Sequence, residues 1–203
     1  APNRRKEKKL SMIEHLTETY ELTDDMSHLE EKEIFLESTS SMVFDRVNRI
    51  VYAGISPRTN AVQLIIWCRH NNYELVLFET EGHTGSAIYH TDVLMYVGTD
   101  IVGICFDVIR TEHRDYVKEK VRQHHEVIEL SSEQIEEFCG NAIEAKNIDN
   151  ELFLIMSSRA YKALEREQIN KLLTSYKEII HSDIPTIEKY GGGSARCMLT
   201  ELF

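Results

Sequence analysis

A unit of two strands, a helix and a third strand recurs along this chain, and the recurrence restricts its fold more than any other feature. The repeat length is about fifty residues, within the range typical of propellers and repeat arrays. Strands are predicted where apolar residues alternate or run together, and helices where they recur three or four positions apart. The first unit is predicted as strands over 40–44, 50–54 and 74–78, with a helix that starts near 57 and ends near 71.

The same order recurs in two further units. The second is predicted as strands over 92–97, 101–106 and 127–130, with a helix over 112–124. The third is predicted as a short helix over 132–139, strands over 142–145 and 152–156, and a long helix over 161–179. Helical spacing is also present ahead of the repeats, over 3–20. The predicted fold class is therefore α/β, built from ββαβ units.

Four residues stand at equivalent points of the repeat, where the first strand of a unit begins: Glu37, His90, Asn141 and Cys197. They are separated in turn by 53, 51 and 56 residues. Equivalent positions in a ring of such units converge on its axis, so we expect Glu37, His90 and Cys197 to meet there. A single polar residue at a strand start is usually a satisfied structural group, and Asn141 is interpreted in that way.

Three consecutive glycines, Gly191–Gly193, precede Cys197 and suggest how its thiol is presented. Such a run lets the backbone pass close to another group or adopt positive φ values. A thiol that follows it, at the head of a short predicted strand, is well placed to act as a nucleophile. The alternative is a buried structural cysteine after a flexible turn, and taken alone the two interpretations are equally good.

Charge and cysteine content exclude several function classes. A net charge of −11 argues against nucleic acid or an anionic membrane as a partner, because the phosphates would not be neutralised. The four cysteines show no paired spacing, which indicates a reducing environment and a cytoplasmic location. No pair of Cys or His residues has the spacing of metal ligands, so no metal is predicted. No apolar stretch approaches the length of a membrane span.

Three segments resemble the signature segments of the guanidino-modifying superfamily, which contains arginine deiminases, dimethylarginine hydrolases and amidinotransferases. They are Phe35–Thr39, Tyr89–Asp92 and Gly191–Met198. Within that superfamily the chain is most similar to bacterial arginine-deiminase-related proteins that include a citrulline-hydrolysing branch. Ala1–Arg5 and Phe44–Ile50 also resemble segments of that branch. The resemblance extends over nearly the whole chain.

The resemblance implies a five-bladed α/β-propeller of ββαβ units, the pentein type. Relatives begin earlier in that fold, so residues 1–203 are expected to form a single, incomplete propeller domain of about three and a half units. The N-terminal units, which normally close the ring and supply substrate contacts, are expected to be absent. The activity of this chain by itself is therefore left open.

The chemistry implied by the resemblance assigns three catalytic roles. A guanidinium or ureido carbon is a poor electrophile, so Cys197 is predicted to attack it as a thiolate and form a covalent thioether. His90 is predicted to protonate the departing nitrogen and then to deprotonate the water that releases the intermediate. Glu37 is predicted to hold a substrate N–H and to orient His90.

Two further residues are predicted to bind the substrate. Asp92, two residues beyond His90 on a predicted strand, is expected to point to the same side and to accept a planar guanidinium in a forked hydrogen bond. Arg5, or its neighbour Arg4, is a candidate for binding an amino-acid carboxylate. A solvated helix start is the stronger interpretation of both arginines.

The predicted function is hydrolysis of a C–N bond in a small guanidino or ureido amino acid, without a cofactor. Arginine, citrulline and their derivatives stay open, because ionised Asp92 and Glu37 favour a cation whereas the resemblance favours citrulline. Amidino transfer to an amine is an alternative, and so is a propeller that only binds. A papain-like protease is excluded, since His90 precedes Cys197 in a repeat context. Formation of a homo-oligomer stays open.

Overall fold

The strands of the chain form three small sheets, one for each repeat. The computed structural model describes residues 1–7 and 9–201, and the side chains of all of these except Asn3, Arg5 and Glu7. Within that part, the sheets consist of β1 Val43–Asp45, β2 Ile50–Ile55 and β3 Glu74–Glu79; β4 Met95–Val97, β5 Ile101–Ile104 and β6 Glu126–Glu129; and β7 Ile143–Lys146, β8 Leu152–Ser157 and β9 Glu178–Ser182.

Each sheet has the same topology. Its first strand pairs antiparallel with its second, as Phe44 does with Val51, and the second pairs parallel with the third, as Ala53 does with Leu77. An antiparallel pair needs only a hairpin, whereas a parallel pair needs a crossover, which helices supply here. The middle strands β2 and β5 are buried along almost their whole length. This arrangement confirms the α/β class and the ββαβ order of the repeats.

Helices connect and cover the sheets. They are α1 Leu10–Thr17, α2 Ser38–Ser41, α3 Ala61–His70, α4 Thr111–Arg122, α5 Ser132–Glu136, α6 Ser158–Ala163, α7 Arg166–Leu172 and α8 Pro185–Tyr190. Short 3-10 turns occur at Pro2–Glu7, Ser27–Lys32, Thr91–Val93 and Arg196–Met198. The side chain of Asn60 accepts the N–H of Gln63 at 3.0 Å and so caps the start of α3.

The third repeat differs from its prediction, because the helix expected over 161–179 is not continuous. α6 ends where Leu164 adopts an extended backbone, and α7 begins after the capping residue Glu165. The chain then forms β9, in which Ile179 pairs with Leu154 of β8. Pairing of a β-branched segment with a buried strand outweighs the apolar spacing that suggested a helix.

Ahead of β1 the elements are shorter than predicted or of another type. The helix expected over 3–20 is a 3-10 turn followed by α1, and α1 buries none of its residues. The strand expected over 40–44 begins only at Val43, since Ser38–Ser41 forms the helical turn α2.

The core lies between the sheets and the helices that cover them, and every repeat contributes to it. Its fully enclosed side chains include Tyr52, Ile104 and Leu154. All four cysteines are free thiols, with Cys68, Cys105 and Cys139 buried and Cys197 exposed. Across residues 1–7 and 9–201, no helix is both long and apolar enough to cross a membrane.

Candidate active site

A cleft of about 480 Å³ is lined by Glu37, His90 and Cys197 together. Glu37 lies just before α2, His90 shortly before β4, and Cys197 beyond α8. These residues occupy equivalent positions of the repeat, and the fold brings them into one space. Much of the remaining lining comes from the segment 26–40 and from Arg4.

A short hydrogen bond joins His90 to Glu37, with Nε2 and Oε2 2.6 Å apart. The two side chains are only 5% and 15% exposed. The backbone of Glu37 is itself held, because Ser41 Oγ accepts its N–H at 3.1 Å. The carboxylate and the imidazole therefore have a fixed mutual orientation.

The charges around this pair determine its ionisation. Glu37 also lies 3.6 Å from Arg58 Nη1. Burial raises the pKa of Glu37, and the hydrogen bond and the charge of His90 act in the opposite direction. Burial lowers the pKa of His90, and the bond to Glu37 offsets this only in part. The pair is therefore an ionised carboxylate beside a mainly neutral imidazole at pH 7.

Cys197 lies in a 3-10 turn and not at the head of a strand, which corrects the prediction. Gly193 approaches it so closely that a Cβ atom there would lie 2.7 Å from Sγ. Gly192 has a φ of +72°, which glycine adopts without strain. Its carbonyl accepts a hydrogen bond from the Tyr89 hydroxyl at 2.6 Å. The glycine run thus meets two requirements: Gly193 lies close to the sulfur, and Gly192 adopts a positive φ.

Asp92 is buried beside Cys197, whereas the prediction placed it on one strand face with His90. The chain forms a 3-10 turn at Thr91–Val93, so the alternation of a strand does not apply. The Cys197 thiol donates to Asp92 Oδ2 at 3.7 Å, and Oδ1 has no hydrogen-bond partner among the described residues. Burial raises the pKa of Asp92 to about 6, although the charge of Arg196 opposes this effect.

The surroundings of Cys197 disfavour its thiolate. Although Cys197 as a whole residue is exposed, the groups packed around its sulfur partly desolvate the thiol and raise its pKa, and the neighbouring carboxyl of Asp92 raises it further. Hydrogen bonds from the backbone around Ser194 and from the side chain of Asn141 act in the opposite direction. The unliganded thiol is therefore mainly protonated at neutral pH, and a cation in the cleft would promote its ionisation.

Three residues without a predicted role contact the site. Asn141, interpreted as structural, donates from Nδ2 to Cys197 Sγ at 3.2 Å. The Tyr89 ring lies 4.8 Å from the His90 ring, and the Arg58 guanidinium lies 5.1 Å above the Tyr89 ring. The position of Asn141 in the repeat, equivalent to those of Glu37 and His90, could have indicated from the sequence that it lies at the site. Tyr89 and Arg58 act through contacts that no sequence spacing indicates.

The structure gives a different result for each of three arginines, Arg4, Arg5 and Arg196. The side chain of Arg5 lies outside the described part of the structure, so its role in binding stays a prediction. Arg4 lines the cleft. Arg196 is buried, and its Nη2 lies 3.1 Å from Glu201 Oε2.

Away from the cleft, Glu79, Glu112 and His113 each bring a potential metal ligand atom within 4.8 Å of the others. The guanidinium of Arg110 already lies 3.1 Å from Glu79 Oε2. A cation would compete with this guanidinium in a partly exposed setting, so we assign no metal to the cluster.

The model of one protein family matches the whole chain. The family is described as N,N dimethylarginine dimethylhydrolase, eukaryotic, and the match extends over residues 1–203. No curated protein sequence matches the chain.

Several solved structures have a similar fold. The apo structure of ArgZ, an arginine dihydrolase from the ornithine-ammonia cycle in cyanobacteria, has a TM-score of 0.63 and 18% identity, and the match covers 82% of this chain and 25% of that one. The N-terminal domain of ArgZ covalently bound to a reaction intermediate has a TM-score of 0.60 and 18% identity, and the match covers 80% of this chain and 55% of that one. A dimethylarginine dimethylaminohydrolase adduct with 4-chloro-2-hydroxymethylpyridine has a TM-score of 0.52 and 21% identity, and the match covers 78% of this chain and 54% of that one. The chain thus spans between a quarter and about half of the length of these structures.

Proposed function

This chain belongs to the N,N-dimethylarginine dimethylhydrolase family, within the guanidino-modifying pentein superfamily, and we propose that it hydrolyses a C–N bond of a small guanidino or ureido compound. The reaction proceeds through a covalent intermediate on Cys197. The observation that carries this proposal is that a thiol, an imidazole and an ionised carboxylate line one cleft. Hydrolysis by such a constellation requires no cofactor.

In the first half of the reaction a C–S bond forms and a C–N bond breaks. His90 takes the proton of the Cys197 thiol, and the thiolate attacks the central carbon, whose π electrons move to a substituent nitrogen or oxygen. When those electrons return, the amine leaves with the proton that His90 carries. In the second half, neutral His90 removes a proton from water as it attacks the same carbon, and the thiolate departs and takes that proton back from His90. One water is consumed and one amine is released.

Glu37 supports this proton transfer. It lies 2.6 Å from the His90 ring, so its carboxylate stabilises the imidazolium that exists between thiol deprotonation and amine departure. The nearby guanidinium of Arg58 helps to keep Glu37 ionised, at 3.6 Å. Asp92, close to the sulfur, is proposed to interact with the guanidinium or ureido group of the substrate. The Arg5 side chain is proposed to bind a substrate carboxylate.

We extend the proposal to the arrangement of the repeats. The three ββαβ sheets are blades of a five-bladed α/β-propeller, and residues 1–203 form an incomplete set of them. The similarity of these sheets to larger solved structures supports this. Four free thiols support a reducing, cytoplasmic environment.

The substrate is arginine, a methylated arginine, citrulline or a close relative. The matching family is named for dimethylarginine, whereas the resemblance read from the sequence pointed to a citrulline-hydrolysing branch. Transfer of the amidino group to an amine is the second candidate reaction, because the cleft residues are equally suited to attack by an amine.

Mass spectrometry of the acid-quenched protein distinguishes these reactions. We expect arginine, dimethylarginine or citrulline to produce an adduct on the peptide that contains Cys197. A hydrolase that releases ammonia or a methylamine retains the rest of the amino acid on sulfur. An amidinotransferase retains only the small amidino group, because ornithine leaves. A hydrolase that expels ornithine retains the same group, and turnover without an added amine then identifies it.

The Cys197→Ser variant is the control and should show no adduct, since a serine hydroxyl is a much weaker nucleophile here. Buried Cys68 and Cys105 serve as internal controls and should remain unmodified. Turnover without any adduct on Cys197 in rapid-quench samples, or full turnover by Cys197→Ser, would rule out the covalent route.

A further inference from the structure

We propose that Asn141 is a positioning residue that holds the Cys197 sulfur and stabilises its thiolate. Asn141 is only 1% exposed and lies between α5 and β7. Its Nδ2 donates to Cys197 Sγ at 3.2 Å, and its Oδ1 accepts the Cys197 backbone N–H at 3.4 Å. One amide thus contacts both the side chain and the backbone of the nucleophile.

The second N–H of the same amide fixes its orientation. Nδ2 also donates to the backbone carbonyl of Asp92 at 3.0 Å. An asparagine amide has two donor hydrogens and one acceptor oxygen, so these contacts use every polar atom of the side chain. A buried amide without partners is costly, and therefore Asn141 has one favourable arrangement, in which a donor points at the sulfur.

Charge explains why the sulfur needs this donor. The Asp92 carboxyl lies 3.7 Å from Sγ and repels a thiolate when it is ionised. The paired groups His90 and Glu37 also line the cleft, and the Tyr89 hydroxyl donates to the carbonyl of the cleft residue Gly192. The positive charges of Arg4 and Arg196 act on Asp92. The amide of Asn141 is neutral and donates a hydrogen bond at every pH, so its contribution does not change as these groups titrate.

A hydrogen bond to a charged acceptor is stronger than one to a neutral acceptor. The donor of Asn141 therefore favours the thiolate over the thiol, and its removal should make ionisation of Cys197 harder. A residue with a merely structural role would change stability or turnover without changing the ionisation of the thiol.

The test is the pH dependence of alkylation of Cys197 by iodoacetamide, followed on its peptide by mass spectrometry. We expect Asn141→Ala to move the alkylation midpoint upward by about one pH unit. Asn141→Asp should move it at least as far, because it replaces a donor with a negative charge. Asn141→Ser retains one shorter donor and should produce a smaller increase.

Asn150→Asp is the matched control. It adds the same charge at an exposed position with φ of +63°, a conformation that aspartate tolerates, and it should leave the midpoint unchanged. Circular dichroism and thermal unfolding identify the variants that fold. If Asn141→Ala does not fold, Asn141→Ser still allows a comparison with the wild-type midpoint. A wild-type midpoint in folded Asn141→Ser and Asn141→Asp would overturn the inference.

This inference deepens the proposed function, but its readout does not depend on turnover. If the protein hydrolyses no guanidino or ureido compound and the midpoint still moves, the proposed function fails and the role of Asn141 stands. If turnover falls in the variants while the midpoint stays at its wild-type value, the proposed function stands and the role of Asn141 is overturned.

Discussion

Burial changes the pKa of several side chains in the cleft, and in different directions. It lowers the pKa of His90 and raises the pKa values of Cys197 and Asp92, because the charged form is disfavoured in each case. At Glu37 the hydrogen bond from His90 opposes the effect of burial. At neutral pH the sulfur of Cys197 therefore retains its proton until a substrate changes the local charge, whereas Asp92 is mostly ionised.

We expect the pH dependence to differ between cationic and neutral substrates around pH 6. The pKa of Asp92 is about 6, so its carboxylate is mostly ionised at pH 7 and mostly protonated at pH 5. An ionised carboxylate attracts a guanidinium, whereas a protonated one donates to a ureido oxygen. The ratio of kcat/KM for arginine to kcat/KM for citrulline should therefore fall by up to about 100-fold from pH 7 to pH 5, as ionised to protonated Asp92 falls from about 10:1 to about 1:10.

The ratio is informative because effects of Cys197 and His90 that are common to both substrates cancel. In Asp92→Asn, which retains the shape of the side chain without its charge, the ratio should no longer change with pH. Identical pH profiles for the two substrates in the wild-type protein would contradict a role for Asp92 in recognising substrate charge.

At the scale of elements, the turn that carries Cys197 is positioned by its neighbours. Gly193 packs against the sulfur, and the Tyr89 hydroxyl donates to the Gly192 carbonyl at 2.6 Å. A turn of this kind places Sγ through backbone contacts, so its accuracy depends on the absence of a side chain at Gly193.

Gly193→Ala should therefore impair catalysis more than stability. The new Cβ would lie 2.7 Å from Sγ and 2.9 Å from Cβ of Cys197, so the nucleophile has to move. We expect kcat to fall by about 100-fold or more, measured by steady-state kinetics. Gly82→Ala is the control, because its Cβ would meet Ser86 O at an ordinary 3.5 Å, and it should retain wild-type kcat. Wild-type turnover by Gly193→Ala would show that the close approach has no functional importance.

At the scale of the whole molecule, a buried hydrogen bond between a carboxyl group and an imidazole joins the first two repeats. Asp45, at the end of β1, lies 2.7 Å from His125 Nε2, between α4 and β6, and both side chains are at most 1% exposed. Asn48 donates to the same carboxylate from its backbone and from its side chain, both at 2.9 Å. Burial would raise the pKa of Asp45, but the hydrogen bonds from His125 and Asn48 outweigh it and lower that pKa.

Asp45→Ala should lower the free energy of unfolding by about 3 kcal/mol at pH 7, because it leaves a buried imidazole without its partner. A carboxyl whose pKa is lower in the folded state stabilises above its unfolded pKa of about 3.9. That contribution is lost as the pH falls through the folded value. Urea unfolding should therefore show the largest difference from wild type at neutral pH and a shrinking one below about pH 4. Exposed Asp149→Ala should change the free energy of unfolding by less than about 0.5 kcal/mol, and an equally small change in Asp45→Ala would contradict the prediction.

Features that depend on local residue types could be read without coordinates. The ββαβ repeat and the α/β class follow from spacing, and the fold contains both. Spacing also predicted that Glu37, His90 and Cys197 lie together, and they line one cleft, although Cys197 does not begin a strand. The long helix expected over 161–179 was wrong, because the strand β9 forms only when β8 is available to pair with it.

The sequence by itself determined which side chains occupy equivalent positions of the repeat, because that depends on residue types at fixed separations. Only the tertiary structure decided that Asp92 is buried against Cys197, 105 residues away, and that Asn141 donates to the same sulfur across 56 residues. Burial and hydrogen-bond partners are created by the packing of distant segments. The proton affinity of the proposed nucleophile is therefore a property of the folded chain and not of the motif around Cys197.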